Sequence, residues 1–535
     1  MALAAVTLDD RYEREEGRVY LTGSQALVRL PMMQRRRDEA AGLNTACFVT
    51  GYRGSPLGGI DQQFWAAKKF LERHHIVFRG GVNEDLAATS VWGTQAVGLY
   101  GPAKYDGVFA IWYGKGPGVD RSGDALKHAN LAGTAPHGGV LALAGDDHQA
   151  KSSTTAHQSD FAFVDANIPL LSPAGIQELI DFGLYGFAMS RFSGCWVGMK
   201  CVGDTMDSAA SVAIDPRRVQ IVIPEGVPMP PGGLNIRFPD PFLEQEKRLH
   251  QFKVPAAMAF ARANGIDRVL FRPRNARLGI VTVGKSYLDV RQALDDLHID
   301  EAEAERLGIA LYKVGVVFPL EPTRLIEFAA GLDEVLVVEE KRALIETQAK
   351  EALYNLPDHL RPRVFGKHDE TGAWMLPSDG ELTPARIART IARRLKGLGI
   401  ESEAIARRMA WLDEKERALD RSPAPLVRLP HYCSGCPHNT STVVPEGSIQ
   451  LAGIGCHYMV VLMDRNAVTF SQMGGEGVAW AGAAPFSEVK HVFTNLGDGT
   501  YFHSGYMAIR AAVAAKVNIT YKILYNDAVA MTGGQ

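Results

Sequence analysis

The chain has 535 residues, 46% of them hydrophobic and 22% charged, with a formal net charge of −3. That length exceeds one hydrophobic core and suits three or four domains of ordinary globular composition. The near-balanced charge and the lack of a basic stripe exclude nucleic acid and an anionic membrane as expected partners. No apolar run is long enough to span a bilayer, and Met1–Gly17 lacks the form of a secretory signal, so a cytoplasmic location is expected. Six cysteines are too few for a disulfide framework, and three of them cluster at Cys433, Cys436 and Cys456.

Buried strands are predicted at Thr45–Thr50, Ile76–Phe78, Gly107–Tyr113 and Gly139–Ala144, with a helix over Ile60–His74 and another opening near Glu84. Strands alternating with helices predict a doubly wound α/β domain whose ligands bind at the C-terminal strand ends. Three polar loops fall there. The first is Gly51-Tyr52-Arg53-Gly54-Ser55-Pro56, the second Gly114-Lys115-Gly116, and the third Gly145-Asp146-Asp147-His148. Arg53, Lys115 and His148 are candidates for gripping a substrate carboxylate, Arg53 through a bidentate fork, and each also reads as a solvated loop charge. Asp146 and Asp147 read as hydrated neighbours. Lys115 lacks the full phosphate-loop pattern, which rejects a nucleoside triphosphatase. Glu84, taken alone, reads as an acid complementing a helix dipole.

The middle of the chain starts after a turn-rich linker, Ile223–Gly233. Strands at Arg277–Gly284, Gly308–Val314 and Asp333–Glu339, with helices at Tyr287–Leu297 and from Pro322, predict a small α/β domain. Glu339-Glu340-Lys341 reads as a solvated strand end. Arg393–Arg421 reads as a surface helix pair.

Cys433-Ser-Gly-Cys436, followed by Gly453-Ile-Gly-Cys456-His457, is a clip for a soft metal. Zinc would take the cysteines plus His438 or His457, whereas a [4Fe–4S] cluster wants four thiolates. A second glycine-rich loop, Gln472-Met473-Gly474-Gly475-Glu476-Gly477, precedes the last unit. There a strand at His491–Leu496, a helix over Phe502–Ala515 and a strand at Ile519–Tyr525 predict one β–α–β crossover with parallel strands. Gly497-Asp498-Gly499 and Asn526 then fall past neighbouring strand ends. A carboxylate oxygen and an amide oxygen there suit Mg²⁺ carrying a diphosphate, and the glycines admit phosphate close to the backbone.

This Gly-Asp-Gly with its later Asn resembles the thiamine diphosphate and Mg²⁺ motif of thiamine-dependent enzymes. Gly51–Pro56, Val82-Asn83-Glu84 and Gly145-Asp146-Asp147 resemble the pyrimidine-binding domain of the 2-oxoacid:ferredoxin oxidoreductases, most nearly the long fused bacterial indolepyruvate:ferredoxin oxidoreductases. The resemblance implies an α/β, multidomain, thiamine diphosphate-binding fold of doubly wound parallel sheets with a transketolase C-terminal-like α/β domain. It divides the chain into a pyrimidine-binding domain at 1–240, the transketolase-like domain at 241–395, a charged helical linker at 396–425 and a diphosphate-binding domain at 426–535. It makes Glu84 the acid at the aminopyrimidine ring, with Ser55 and Arg53 beside the reacting atoms. Gly497, Asp498, Gly499, Asn526, Ala528, Met473 and Gly474 become cofactor-binding residues, with Asp498 and Asn526 on Mg²⁺. Cys433, Cys436 and Cys456 become iron–sulfur ligands of a [4Fe–4S] cluster whose fourth cysteine lies past Gln535, so the sequence is expected to be part of a longer chain. The implied reaction is oxidative decarboxylation of an aryl 2-oxoacid such as indolepyruvate to an acyl-coenzyme A, with electrons passing to ferredoxin, in a homodimer. A non-oxidative thiamine-dependent decarboxylase or synthase, and an inactive scaffold or subunit, are the alternatives.

Overall fold

The runs Val140–Asp146 and Leu278–Val283 are buried at every position. Strands covered on both faces require such uninterrupted runs, and they set the centres of two sheets. The structure, a computed structural model, describes residues 6–150, 153–420, 428–526 and 529. The chain forms two units, Met1–Arg421 and Ser422–Gln535. Among the described residues no helix is long and apolar enough to cross a membrane.

In the first unit a seven-stranded sheet runs from edge to edge as Val316–Phe318, Leu170–Leu171, Val197–Val202, Val140–Asp146, Gly107–Lys115, Thr45–Gly51 and Ile76–Phe78. All pairings are parallel except that of the edge strand Val316–Phe318. Alternation along Gly107–Lys115 sends Phe109 and Ile111 into one apolar cluster, with the helices Gly23–Ala40 and Ile176–Ser193. Ala110 and Trp112 go into another, with Glu84–Gln95 and Gly123–Ala132. The expected α/β architecture of doubly wound parallel sheets is thus present. The helix expected over Ile60–His74 is instead two, Ile60–Ala66 and Lys68–Arg73. The Ala67 N–H is shared between the carbonyls of Gln63 and Phe64, as at the end of a helix.

The second sheet of this unit runs Arg363–Phe365, Glu334–Val338, Leu278–Val283, Ile309–Val314 and Arg268–Phe271, the last antiparallel. One of its faces shares an apolar cluster with the first sheet, through Val281, Val314, Phe163 and Leu170. The chain then passes between the sheets at Gly315. Asp267 Oδ1 accepts the N–H groups of Gly315 and Val316 at 2.7 and 3.1 Å. A Cβ at Gly315 would lie 2.7 Å from Ile266 Cγ2, so the crossing has no room for a side chain.

The second unit holds four parallel strands in the order Ala467–Phe470, Gln450–Ala452, Val492–Gly497 and Ile519–Leu524. The predicted crossover is present, with Gly497 paired to Leu524. Its helix begins earlier than expected, at Asp498, and passes through a wide turn at Tyr501–Gly505 before Tyr506–Ala515. Gly505 passes so close to the strand that a Cβ there would lie 2.7 Å from Leu496 Cδ1.

Lys253 is an unexpected buried cation. Its Nζ donates to the carbonyls of Asn130 and Leu131 at 3.1 and 3.0 Å, at the C-terminus of the helix Gly123–Ala132. Burial lowers its pKa to about 8. A lowered folded-state value means that the ammonium costs stability: the favourable state is complete above the unfolded pKa and is lost as pH falls through about 8. Paired urea unfolding of wild type and Lys253→Met should therefore show wild type gaining on the variant between pH 7 and pH 10. A difference independent of pH contradicts this account of Lys253.

Candidate active site and cofactor-binding residues

Strand Gly107–Lys115 lies between Thr45–Gly51 and Val140–Asp146, in parallel with both. Their shared C-terminal edge brings the three polar loops of the first unit together. Ser55 Oγ donates to Asp147 Oδ1 at 3.4 Å, and Lys115 Nζ stands 3.7 Å from Asp147 Oδ2. Burial lowers the Lys115 pKa, against the pull of Asp147. The acidic pair is buried, contrary to the expectation of hydration. Asp146 accepts the Ser159 N–H and hydroxyl at 2.9 and 2.6 Å and stands 3.7 Å from Lys200 Nζ. A carboxylate at a covered strand end has to be paired, because burial without partners costs several kcal/mol, roughly.

Glu84 is the first residue of a helix capped by Asn83, whose Oδ1 accepts the Leu86 N–H at 3.1 Å. Its carbonyl accepts the Trp112 indole N–H at 2.9 Å, which ties the helix start to the central strand. The side chain is 7% exposed and crosses the start of the next helix. A Cβ at Gly118 would lie 2.5 Å from Glu84 Oε1, so that glycine makes the room in which the carboxylate sits. Arg53 is no loop charge in water. It is buried, with Nε 3.8 Å from Asp61 Oδ2 and its guanidinium 5.2 Å from the Trp65 ring centroid. Tyr113 donates to the same carboxylate at 2.7 Å. Arg53 therefore compensates Asp61 beneath the loop.

A third group was misread from sequence altogether. Glu339, Glu340 and Lys341 are buried, not solvated. Glu339 accepts the N–H groups of Leu344, Ile345 and Glu346 at 3.1, 2.9 and 2.9 Å, and Lys341 Nζ donates to the carbonyls of His148 and Gly380. His148 is buried too, with Nδ1 3.7 Å from Glu381 Oε1 and 4.0 Å from Glu340 Oε2. Among the described residues, His148, Glu340 and Glu381 are the one group of three whose ligand atoms could hold a metal. A cation is already in place. Lys285 Nζ stands 2.7 Å from Asp289, 3.3 Å from Glu340 and 3.5 Å from Glu381. The hydrogen bond from His148, together with the Lys285 charge and against burial, holds the Glu381 carboxyl at about 2. Burial works against the Lys285 ammonium, but its hydrogen bond to Asp289 and the surrounding carboxylates raise its pKa.

In the second unit Asp498 and Asn526 stand past the ends of adjacent parallel strands, as the sequence predicts. Asp498 Oδ1 accepts the Gly499 N–H at 2.7 Å and Oδ2 accepts the Asn526 N–H at 3.1 Å. Gly474 (φ +90°) lies against Ser504, where a Cβ would meet Oγ at 2.2 Å, and its N–H donates to Glu476 Oε2 at 2.8 Å. Met473 is half-buried in the same loop. Ala528 lies outside the described residues. Sequence reading missed the pair beneath this loop. Glu476 is fully buried, with Oε1 3.5 Å from Nε2 of the equally buried His457. The residue types gave no signal, since His457 reads first as a zinc ligand beside Cys456.

The residues fit thiamine diphosphate with Mg²⁺. Asp498 and Asn526 offer hard oxygens, and a Cβ at Gly455 or Gly497 would press on the His457 ring, at 2.9 and 3.0 Å from Nδ1. Cys436 N–H donates to the Cys433 carbonyl at 3.0 Å across a turn at Gly435, and Cys433 is exposed. Among the described residues, the thiols of Cys433, Cys436 and Cys456 do not form a group with the spacing that a single metal ion takes.

Comparison with known proteins gives the following. Residues 268–419 match the family described as indolepyruvate oxidoreductase domain, and residues 453–535 match the thiamine pyrophosphate enzyme, C-terminal TPP binding domain. The indolepyruvate oxidoreductase subunit IorA of Pyrococcus horikoshii is 25% identical over 98% of this chain and 77% of its own length. That of Methanothermobacter marburgensis is 25% identical over 99% of this chain and 78% of its own length. Among solved structures, the 2-oxoglutarate:ferredoxin oxidoreductase of Magnetococcus marinus, determined with 2-oxoglutarate, coenzyme A and succinyl-CoA bound, aligns with a TM-score of 0.51 at 15% identity. The match covers 71% of this chain and 65% of that one. The resemblance read from the motifs is borne out, and with it the thiamine-enzyme fold.

The lysine-centred network yields a stability test. Lys285→Met leaves Asp289, Glu340 and Glu381 without their shared cation, which should cost about 3 kcal/mol or more at neutral pH. Urea unfolding measures it, and a loss below about 1 kcal/mol means that the network is water-screened.

Proposed function

We propose that this chain, kin to the indolepyruvate oxidoreductase IorA subunits along nearly its whole length, carries out thiamine diphosphate-dependent oxidative decarboxylation of an aryl 2-oxoacid such as indolepyruvate. The acyl group goes to coenzyme A and the electrons go to ferredoxin. The observation that carries the reading is the Gly497-Asp498-Gly499 turn, its carboxylate fastened to the Asn526 N–H, inside the segment that matches a TPP-binding domain.

In this reading residues 426–535 hold the diphosphate side, 1–240 the aminopyrimidine side, and 241–395 the transketolase-like domain. Asp498 and Asn526 would hold Mg²⁺ through oxygen, Gly497 and Gly499 would admit the diphosphate, and Met473 and Gly474 would bind the cofactor. Bound thiamine diphosphate supplies the electron sink that decarboxylation of a 2-oxoacid needs. Glu84 would hold the aminopyrimidine ring through a hydrogen bond from its carboxyl to the ring nitrogen. Its recess beside Gly118 keeps the carboxyl dry and aimed. Ser55, fixed by Asp147, orients the substrate, and Lys115 offers a positive charge to a substrate carboxylate. Arg53 supports the loop from below through Asp61. Cys433, Cys436 and Cys456 remain candidate iron–sulfur ligands, and no step is routed through them.

Two substitutions test the reading. Glu84→Gln should slow exchange of the thiamine C2 proton, followed by proton NMR in D₂O, by roughly a hundredfold or more, with cofactor affinity nearly unchanged. Exchange at the wild-type rate sinks the assignment of Glu84. Asp498→Asn should weaken Mg²⁺-dependent binding of thiamine diphosphate by calorimetry. Binding that ignores both the substitution and Mg²⁺ removes the diphosphate site from this loop.

A further inference from the structure

His457 is 1% exposed, and among the described residues neither of its buried ring nitrogens has a hydrogen-bond partner. Such an orphan is costly, since a buried polar group without a partner forgoes its hydration. The ring is not loosely held. It lies on the short turn Cys456–Val461, whose first carbonyl contact, Tyr458 N–H to Gly455 O, is 2.9 Å. Its Nε2 edge faces Glu476 Oε1 at 3.5 Å. Glu476 is itself fully buried, fastened through Oε2 to the Gly474 N–H, and its Oε1 has no hydrogen-bond partner among the described residues.

The opposite edge faces the cofactor loop. A Cβ at Gly497 would lie 3.0 Å from His457 Nδ1, and a Cβ at Gly455 would lie 2.9 Å from the same atom. Gly455 has φ +148°, a conformation that L side chains rarely adopt. Thr500 closes the third side, its hydroxyl donating to the Ile454 carbonyl at 3.0 Å. One imidazole nitrogen is thus aimed, between two glycines, at the backbone that precedes Asp498. The other is backed by a buried carboxylate. A carboxylate behind a histidine takes the rear N–H, so the front nitrogen donates only in the imidazolium form, the form that a carboxylate behind and an anion in front both favour.

We propose that His457 is a cofactor-binding residue that donates from Nδ1 to the terminal phosphate of the diphosphate, and that Glu476 is the positioning residue that holds its ring. This deepens the proposed function and rests on that reading. An anion in front and a carboxylate behind satisfy both nitrogens at once, which accounts for two buried groups left half-bonded.

The test compares ligands of the full chain by calorimetry with Mg²⁺ present: thiamine diphosphate, and unphosphorylated thiamine as the probe that lacks the phosphates. His457→Phe keeps a ring but no nitrogen. Loss of one charge-assisted hydrogen bond should weaken thiamine diphosphate roughly ten- to a hundredfold and leave thiamine within about twofold of wild type. Glu476→Gln should show a smaller loss with the same preference for the phosphorylated ligand. If His457→Phe does not fold, His457→Gln, which keeps a donor, replaces it, and a smaller but still diphosphate-selective loss is expected. The inference is overturned if the variant that folds binds thiamine diphosphate as wild type does, or if both ligands weaken equally. Wild type that fails to bind thiamine diphosphate at all overturns the proposed function instead, so the two failures are distinct.

Discussion

A parallel sheet places every strand's C-terminal end on one edge, and this chain puts much of its charge on such edges under cover. That constraint organises the first unit. Asp146 and Asp147 end one strand, Lys115 ends its neighbour, and Glu339 with Glu340 follow a strand of the second sheet. Each is buried. Buried charge in a low-dielectric interior is tolerable only when paired and hydrogen-bonded, and here the pairing is done by lysines: Lys200 to Asp146 and Asp160, Lys285 to Asp289, Glu340 and Glu381. The seam between the two sheets is therefore electrostatic as well as apolar, and the loops that position Ser55 and Glu84 sit on a compensated floor.

The same constraint explains what could be read from the sequence and what could not. Strands such as Ile309–Val314 and Glu334–Val338 announce themselves because burial on both faces demands mainly apolar runs without period-two alternation. The Gly497-Asp498-Gly499 turn and Asn526 announce themselves because the crossover between them fixes which residues fall past adjacent strand ends. The charged residues carry no such signal. Glu339-Glu340-Lys341 has the composition of a solvated strand end, and only the second sheet, brought against the first, makes it a buried network. Arg53 looks like a substrate-gripping fork until Asp61 and Tyr113, on a separate helix and a separate strand, close beneath it. Long-range partners decide these cases, and spacing along the chain does not encode them.

Glycine proves a better guide than charge at the candidate sites. Gly118 matters because a Cβ there would stand in the space of the Glu84 carboxylate, and Gly315 because the crossing between sheets admits no side chain. Neither needs a positive φ. Their role is room, and that role is visible only once the neighbouring element is placed. Gly455 differs, since its φ of +148° joins a backbone requirement to a steric one.

The second unit carries that reasoning one step further. Its apolar clusters are small, with Leu451, Trp480 and Val492 in one and Tyr432, Ala452 and Val460 in the other. Yet it buries Glu476 and His457 completely, close to the Asp498 turn. A unit with little apolar surface to spare gains nothing in stability from an incompletely bonded acid and imidazole. Their retention is explained if the free state is the incomplete one and an anion at the glycine cradle completes the set. Ligand binding would then add a missing hydrogen-bond partner to the fold, coupling the stability of this unit to its cofactor through the ordinary mass-action term.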